Sequence, residues 1–462
     1  MRQLIAKRRE HGQETWILFL DLVKAFDRVP RQLLWKVLLK YGVPPSIVAL
    51  LIALHEHVLV KFEIDGVVET LLSIIGVKQG DLLGPKLFTF YIAAVMETWR
   101  SEHTYDLCIF RTRDDFTMTG RQPTANGDDF SISDSEYADD TGMPFPSRAT
   151  LDEQTPNVVT HFDRWGMEVH SGVKASDGST LKESKSEILF CAARPHVYSD
   201  PVTFDGADLS DVVLPGRRFM SIVAKFKYLG GYVSRFGNDA IDIDSRIEAA
   251  GKAFGALRAC VFSSTHINIV AKKTVYESLV LNILLYGGET WSNTEVMLDR
   301  LRVFHARCVR SMCRVSRKHT WQHHISTREL EQRLGIDAID TYLKRRQLRW
   351  LGHVARMDHT ERLPRRMLSS WVPQPRPRGA PPMTYGRSIN KALLDFNINT
   401  QSWPSLAADR VAWRSTLRHG HPPGFTAPAP PLPLALTRPP RATTAKTNRA
   451  IDASLHMLRT PL

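Results

Sequence analysis

Two adjacent carboxylates, Asp139 and Asp140, follow the stretch Phe130–Tyr137, whose alternating apolar and polar residues read as one strand. Thr141-Gly142 comes next. Like charges side by side repel, and strands disfavour Asp. A divalent cation at this turn would remove that cost, because one or two carboxylates plus a substrate phosphate are the usual ligands of Mg2+. The competing reading is a solvated hairpin turn, where Asp is a favoured residue.

A second element shifts the balance. Trp16-Ile17-Leu18-Phe19-Leu20 is a short, continuous apolar run that delivers Asp21 at its end. Such a run reads as a strand buried on both faces. Asp21, Asp139 and Asp140 would then be three acids able to share a pair of metal ions. Two ions roughly 3.5–4 Å apart stabilise both the attacking and the leaving oxygen of an in-line phosphoryl displacement. Asp27 reads as a residue that caps or pairs locally.

At this point a resemblance enters. Phe19-Leu20-Asp21-Leu22-Val23-Lys24-Ala25-Phe26-Asp27 resembles motif A of the reverse transcriptases of non-LTR (LINE-type) retrotransposons, and Tyr137-Ala138-Asp139-Asp140 resembles their motif C. Between them, Gly76-Val77-Lys78-Gln79-Gly80-Asp81-Leu82-Leu83-Gly84-Pro85-Lys86-Leu87-Phe88 resembles motif B. The likeness runs over roughly residues 1–360 and is most specific at 16–140.

The resemblance implies an α+β fold: a right-hand polymerase palm, an antiparallel sheet of about four strands with helices on one face. Incomplete fingers, a helical thumb and a basic helical tail would complete it. It implies RNA-directed DNA polymerisation, in which a primer 3′-hydroxyl attacks the α-phosphate of a deoxynucleotide on two Mg2+ ions, or Mn2+ in their place. The partners would be an RNA template, a DNA primer and deoxynucleoside triphosphates. Asp21 and Asp139 would hold the metals, with Asp140 in support. Phe26 would be a steric gate whose ring rejects a ribose 2′-hydroxyl by clash.

Within motif B, Gln79 offers both donor and acceptor to a base edge or sugar. Gly80 would let the backbone approach a base or template closely. Lys185, opening Lys185-Ser186-Glu187-Ile188-Leu189-Phe190, resembles the motif D lysine and could protonate the leaving pyrophosphate. Phe226–Val233 resembles the primer-grip hairpin, with Tyr228, Leu229, Gly230 and Gly231 at its turn. Two departures stand out. Gly84 precedes Pro85 where the family usually has Ser, and Ser171–Glu183 lengthens the approach to Lys185.

The chain has 462 residues, enough for two or three domains. Its five cysteines are an odd number and far apart, which argues against a disulfide framework and for an intracellular, reducing compartment. The N-terminal residues form a charged helical pattern with no signal peptide, and no apolar run is long enough to span a membrane. Residues 1–13 read as the end of a helix whose beginning is missing, as if the fingers were truncated.

Charge is unevenly distributed. Of 61 Lys and Arg against 48 Asp and Glu, residues 301–420 hold 23 basic and 8 acidic, whereas residues 1–300 hold 33 and 39. A region that basic is an electrostatic footprint for phosphate backbones, or else a solvated helical surface. Lys344, Arg345, Arg346 and Arg349, interleaved with Trp350, lie in a stretch resembling a post-thumb tail of such elements and suit phosphates plus stacking. Cys308, Cys313, His319, His323 and His324 invite a zinc reading, but their spacing fits no closed Cys2His2 site, so zinc is not expected there.

Along the chain, helices are expected at Leu33–Tyr41, Ile47–His57 (capped by Ser46, with Ile47, Leu50, Leu51 and Leu54 as its core face), Lys86–Arg100, Leu151–Val169, Ile243–Leu257 and Ala271–Leu285. A hairpin is expected around Ile64-Asp65-Gly66. Residues 101–129 read as a hairpin excursion carrying Arg111, Arg113 and Arg121. The expected organisation is a fingers remnant at 1–15, a palm at 16–235, a thumb at 236–320, a basic region at 321–420 and a disordered Pro-rich tail at 421–462.

The reading is a retrotransposon reverse transcriptase. The alternative is a catalytically silent fragment that keeps the fold and binds nucleic acid. A group II intron maturase or an RNA-templated RNA polymerase shares the palm, but Phe26 at the gate argues against an RNA product.

Overall fold

The computed structural model describes residues 1–78, 80–112, 127–193, 203–204, 207–357, 362–377 and 383–419. Gln79, Arg113, Arg121 and the Pro-rich tail therefore lie outside the described residues. The chain divides into two units, one from 1–112, 127–237 and 371–377, the other from 238–370 and 383–419.

The first unit opens with α1 (Arg2–Glu10), β1 (Thr15–Leu20), α2 (Ala25–Arg28), α3 (Arg31–Lys40) and α4 (Pro45–His55). The hairpin β2 (Val58–Ile64) and β3 (Val67–Ser73) leads to the long α5 (Gly84–Glu102). Then come β4 (Cys108–Thr112), β5 (Asp128–Ile132), β6 (Ser135–Tyr137), β7 (Asp140–Phe145) and α6 (Arg148–Arg164). Short strands follow: β8 (Gly172–Lys174), β9 (Thr180–Lys182), β10 (Glu187–Cys191), β11 (Thr203–Phe204), β12 (Ala207–Asp208), β13 (Val212–Leu214) and β14 (Arg218–Val223). The hairpin β15 (Lys225–Tyr228) and β16 (Gly231–Ser234) ends the series.

All six residues of β1 are buried, as a continuous apolar run requires. It pairs antiparallel with β7 on one side and with β10 on the other. Trp16, Leu18 and Leu20 join a core with α3, α5 and α6, including Leu34, Phe88, Val95 and Phe162. Phe19 stacks instead on Phe226 of the β15–β16 hairpin, with ring centroids 4.1 Å apart. Burial of each such side chain contributes about 1.5–3 kcal/mol, so β1 is a strong anchor for the residue at its end.

The sheet runs β6-β7-β1-β10-β14-β8-β9, with β13 beside β14. It is larger than expected and mixed, because β10 and β14 pair in parallel. The single strand expected over Phe130–Tyr137 is two: β5 pairs with β4, and β6 pairs with β7 in the central sheet. The break falls at Ser133-Asp134, where the Asp134 carboxylate turns to Arg100 at 2.6 Å.

Helix α4 differs in its face. Val48, Leu51 and His55 are buried, while Ile47, Leu50 and Leu54 are exposed. The helix is apolar almost all round, so pattern alone does not select the inward side. Its N-cap is Pro44 with Pro45 in the first turn, and Ser46 lies inside the helix.

The second unit is helical: α7 (Ala240–Leu257), α8 (Ile269–Val275), α9 (Leu281–Leu284), α10 (Glu295–Met312), α11 (Arg317–Gln322), α12 (Thr327–Leu334), α13 (Ile339–Ala355), α14 (Leu363–Leu368), α15 (Tyr385–Asp395), α16 (Trp403–Ala408) and α17 (Arg410–His419). The helix expected over Ala271–Leu285 is interrupted by a π-helical turn at Tyr276–Val280. One core gathers Ile243, Tyr276, Trp291, Leu301 and Leu343, and a second gathers Leu348, Ile389, Trp403 and Trp413.

Candidate active site

The ladder between β1 and β7 ends at Leu20 opposite Thr141, so Asp21 leaves one strand where Asp140 begins the other. Asp139 sits in the two-residue turn between Tyr137 and Asp140, which pair across the β6–β7 hairpin. Ala138 takes φ 56 in this turn. A residue with a Cβ in the left-handed region costs about 1–2 kcal/mol, strain of the kind that accumulates at functional sites.

The three acids feel one another. Burial, then the charges of Asp139 and Asp21, push the Asp140 carboxyl above its ordinary value. Among the described residues no salt bridge neutralises any of the three. Their oxygens do not lie within 4.8 Å of one another as a group, so they would have to draw together around an ion; donors that are all oxygen are of the kind a hard divalent cation takes.

Asp21 is held by its backbone. Its amide donates to Ser186 Oγ at 3.0 Å, and its carbonyl accepts from the His170 amide at 2.8 Å. The neighbouring Leu22 bridges Val169, and the Val23 amide donates to the Glu168 carbonyl. Sequence reasoning singled out Lys185 and missed the buried Ser186 beside it. Lys185 itself is exposed, and its amide faces His170 Nδ1 at 3.3 Å.

A second missed acid flanks the turn. Glu136 pairs with Arg100 at 2.7 Å, and burial followed by the Asp134 charge holds its carboxyl well above the usual carboxylate range.

Phe26 is half-buried on α2 and stacks on Phe88 of α5, centroids 4.5 Å apart. Asp27 is exposed. The chain entering the motif B loop docks on this helix: the Val77 amide donates to the Phe26 carbonyl at 2.8 Å, and the Gly76 amide to the Val29 carbonyl at 2.9 Å. Gly80 has φ 88 and open space around it, so backbone conformation is what requires glycine there. At Gly84 a Cβ would lie 2.2 Å from the Lys78 carbonyl oxygen, which explains why this loop has no Ser before Pro85.

The β15–β16 hairpin lies against the same strands. Its turn places Leu229 (φ 49) and Gly230 (φ 77) in the left-handed region, and Gly231 pairs with Tyr228. Two positive φ values in a two-residue loop match the twist of the flanking strands. Tyr228 donates its hydroxyl to the Ser135 carbonyl at 3.0 Å and packs on Phe19 at 5.1 Å. Burial raises the Tyr228 phenol, and the charges of Asp140 and Glu136 add to this.

In the second unit, most of the expected phosphate-binding cations are paired internally. Lys344 meets Asp395 at 2.6 Å, Arg345 meets Asp337 at 2.7 Å, and Arg346 reaches the Leu285 carbonyl at 3.2 Å. Arg349 is exposed, and burial followed by Arg345, Arg346, Arg414 and Arg418 lowers its pKa. Arg410, Arg414 and Arg418, four residues apart on α17, are all exposed and were missed. Trp413 fixes this helix to α13, its indole donating to the Leu348 carbonyl at 3.0 Å.

Cys308 is buried and Cys313 half-buried on α10 and at its end. Among the described residues the group of His, Cys, Asp and Glu side chains close enough to share a metal lies elsewhere, at Glu102, His103 and His161. No helix among the described residues is long and apolar enough to cross a membrane.

Residues 1–172 match the reverse transcriptase (RNA-dependent DNA polymerase) family, a segment that contains Asp21, Phe26, the motif B loop, Asp139 and Asp140. A transposon-derived protein of Caenorhabditis elegans is 25% identical over 201 residues, 42% of this chain and 71% of that protein. The retrovirus-related Pol polyprotein from type-1 retrotransposable element R2 of Bradysia coprophila is 30% identical over 108 residues, 23% of this chain but 12% of the polyprotein. The chain thus spans a small part of that polyprotein. Its residues 1–172 match a reverse transcriptase domain, and these two relatives are a transposon-derived protein and a retrotransposon polyprotein.

Proposed function

We propose that this chain extends a DNA primer on an RNA template, with Asp21 and Asp139 as metal ligands and Asp140 in support. The observation that carries the reading is the placing of three carboxylates without a salt-bridge partner at the ends of β1 and β7, where burial, then the charges of Asp139 and Asp21, raise the Asp140 carboxyl. Two Mg2+ ions, when bound, would activate the primer hydroxyl and neutralise charge on the leaving phosphate. Ser186 holds the Asp21 backbone at the end of β1. Phe26, backed by Phe88, presents a rigid surface against a ribose 2′-hydroxyl. The β15–β16 hairpin, docked on Phe19, would support the primer end beside the acids. Lys185 is the candidate proton donor to pyrophosphate.

The second unit would add affinity for phosphate backbones. Three of the four cations on α13 serve internal contacts, so Arg349 and the exposed α17 arginines are the candidate phosphate contacts on these two helices. Primer extension with dNTPs on an RNA template, dependent on Mg2+ and silenced by a chelator, tests the reading. Absence of any extension by a folded chain that still binds the template would favour a silent, nucleic-acid-binding protein.

A further inference from the structure

Three metal-competent side chains meet where the C-terminal end of α5 lies beside α6. Glu102 is the last residue of α5, His103 follows it, and His161 is in the last turn of α6. One ligand atom from each lies within 4.8 Å of the others, and His161 Nδ1 is 4.0 Å from the Glu102 carboxylate. Metal–ligand bonds of about 2.1 Å give a tetrahedral edge of about 3.4 Å, so the three side chains would draw together by small rotations on binding.

The imidazoles are oriented as ligands are. His161 Nε2 lies 2.8 Å from the Val95 carbonyl oxygen, which can only accept, so Nε2 carries the proton and Nδ1 keeps its lone pair. His103 Nδ1 faces the Trp99 carbonyl at 3.3 Å, which leaves Nε2 as its open nitrogen. Backbone carbonyls in this role are the usual second partners of metal-bound histidines. Both rings are fixed by Trp99, which stacks on His103 at 3.8 Å and meets His161 edge-on at 5.4 Å.

A cation already sits on two of the three donors. Arg164 donates to the Glu102 carboxylate, and its guanidinium is 3.1 Å from His161 Nδ1. Its side chain is 55% exposed and can swing away.

We propose that Glu102, His103 and His161 form a binding site for a borderline divalent transition ion of the Zn2+ class, with Arg164 as the internal cation that a metal displaces. Two imidazoles and one carboxylate suit such an ion and leave one position for water. The bound ion would clamp α5 to α6, the helices whose Val95, Met96, Val158 and Phe162 pack on the core beneath β1 and β7. This site is independent of the acids at Asp21 and Asp139, whose oxygen-only donors suit Mg2+.

The test is a titration of the metal-stripped full chain with Co2+, in excess Mg2+, read by visible absorption, with thermal midpoints measured in Zn2+. One equivalent of tetrahedral-type Co2+ bands is expected, weakened at least tenfold by Glu102→Gln and by His103→Gln. Both substitutions lie outside the fully buried core, so the fold is retained. Arg164→Gln should tighten binding about tenfold and enlarge the Zn2+-dependent rise in midpoint. Absence of bands in both the unaltered chain and Arg164→Gln would overturn the proposal. So would bands unchanged in Glu102→Gln and His103→Gln, which would place the ion on other ligands such as the cysteines.

Discussion

Ser186 Oγ holds Asp21 from both ends of its backbone: it accepts the Asp21 amide at 3.0 Å and donates to the Asp21 carbonyl at 3.3 Å. Ser186 is fully buried at the entrance to β10, so this one hydroxyl ties the Asp21 backbone to the neighbouring strand. Ser186→Ala would leave the amide of Asp21 without a partner, a loss of about 1–3 kcal/mol. The expected result is a folded protein with a lower unfolding midpoint and a primer-extension kcat down about tenfold, with KM for dNTP little changed. An unaltered kcat would show that the bond is structural only.

The acids repel one another in the absence of metal, and this separates activity from stability. Asp139→Asn removes one exposed like charge beside Asp140, worth about 0.2–1 kcal/mol. The metal-free variant should be as stable as the parent or slightly more so in denaturant melts. Incorporation should fall by more than about 100-fold, since losing even an outer-shell partner of a metal ligand costs 10–100-fold.

Phe26 is backed by Phe88, so its ring cannot retreat easily. Phe26→Ala should raise ribonucleotide incorporation relative to deoxynucleotide on the order of 10–100-fold, the range one hydrophobic contact can discriminate. The check is single-nucleotide kinetics with matched dNTP and rNTP. An unchanged ratio would remove Phe26 from the gate.

How much of this was legible depends on whether the cause was local. The apolar run of β1 and the Asp-Gly turn at 65–66 are local, and both elements stand where the pattern puts them. The break between β5 and β6 is not local, because Ser133-Asp134 fits an alternating strand until Arg100 of α5 captures Asp134. Ser186 reads as an ordinary strand serine, and only the pairing of β10 with β1 brings it to Asp21. Charge counting located the basic region but could not tell paired from free cations. Asp337 and Asp395, which occupy Arg345 and Lys344, lie 8 and 51 residues away from them in the chain.

That difference is testable. Replacing Arg410, Arg414 and Arg418 together with Gln should weaken RNA–DNA binding and reduce the slope of log K against log salt by about 2–3, near 0.9 per lost phosphate contact. Lys344→Gln should lower the melting midpoint instead, with a salt slope close to that of the parent. Equal effects on binding would contradict this division of roles.

Glu136 provides a pH signature. Its folded carboxyl is raised by burial and by Asp134, so the stability it contributes is present at low pH and is lost as pH rises from the ordinary Glu range toward its raised value. Glu136→Gln should therefore gain in melting midpoint over the parent as pH increases from 5 to about 9. A difference that stays constant with pH would contradict the shift.

The most direct measurement is single-nucleotide incorporation on a poly(rA)/oligo(dT) duplex in Mg2+, run beside duplex binding for the unaltered chain and Asp139→Asn. The account predicts incorporation by the unaltered chain, none by the variant, and equal binding by both. Incorporation that survives in Asp139→Asn, or a chain that binds the duplex and never extends it, would contradict it.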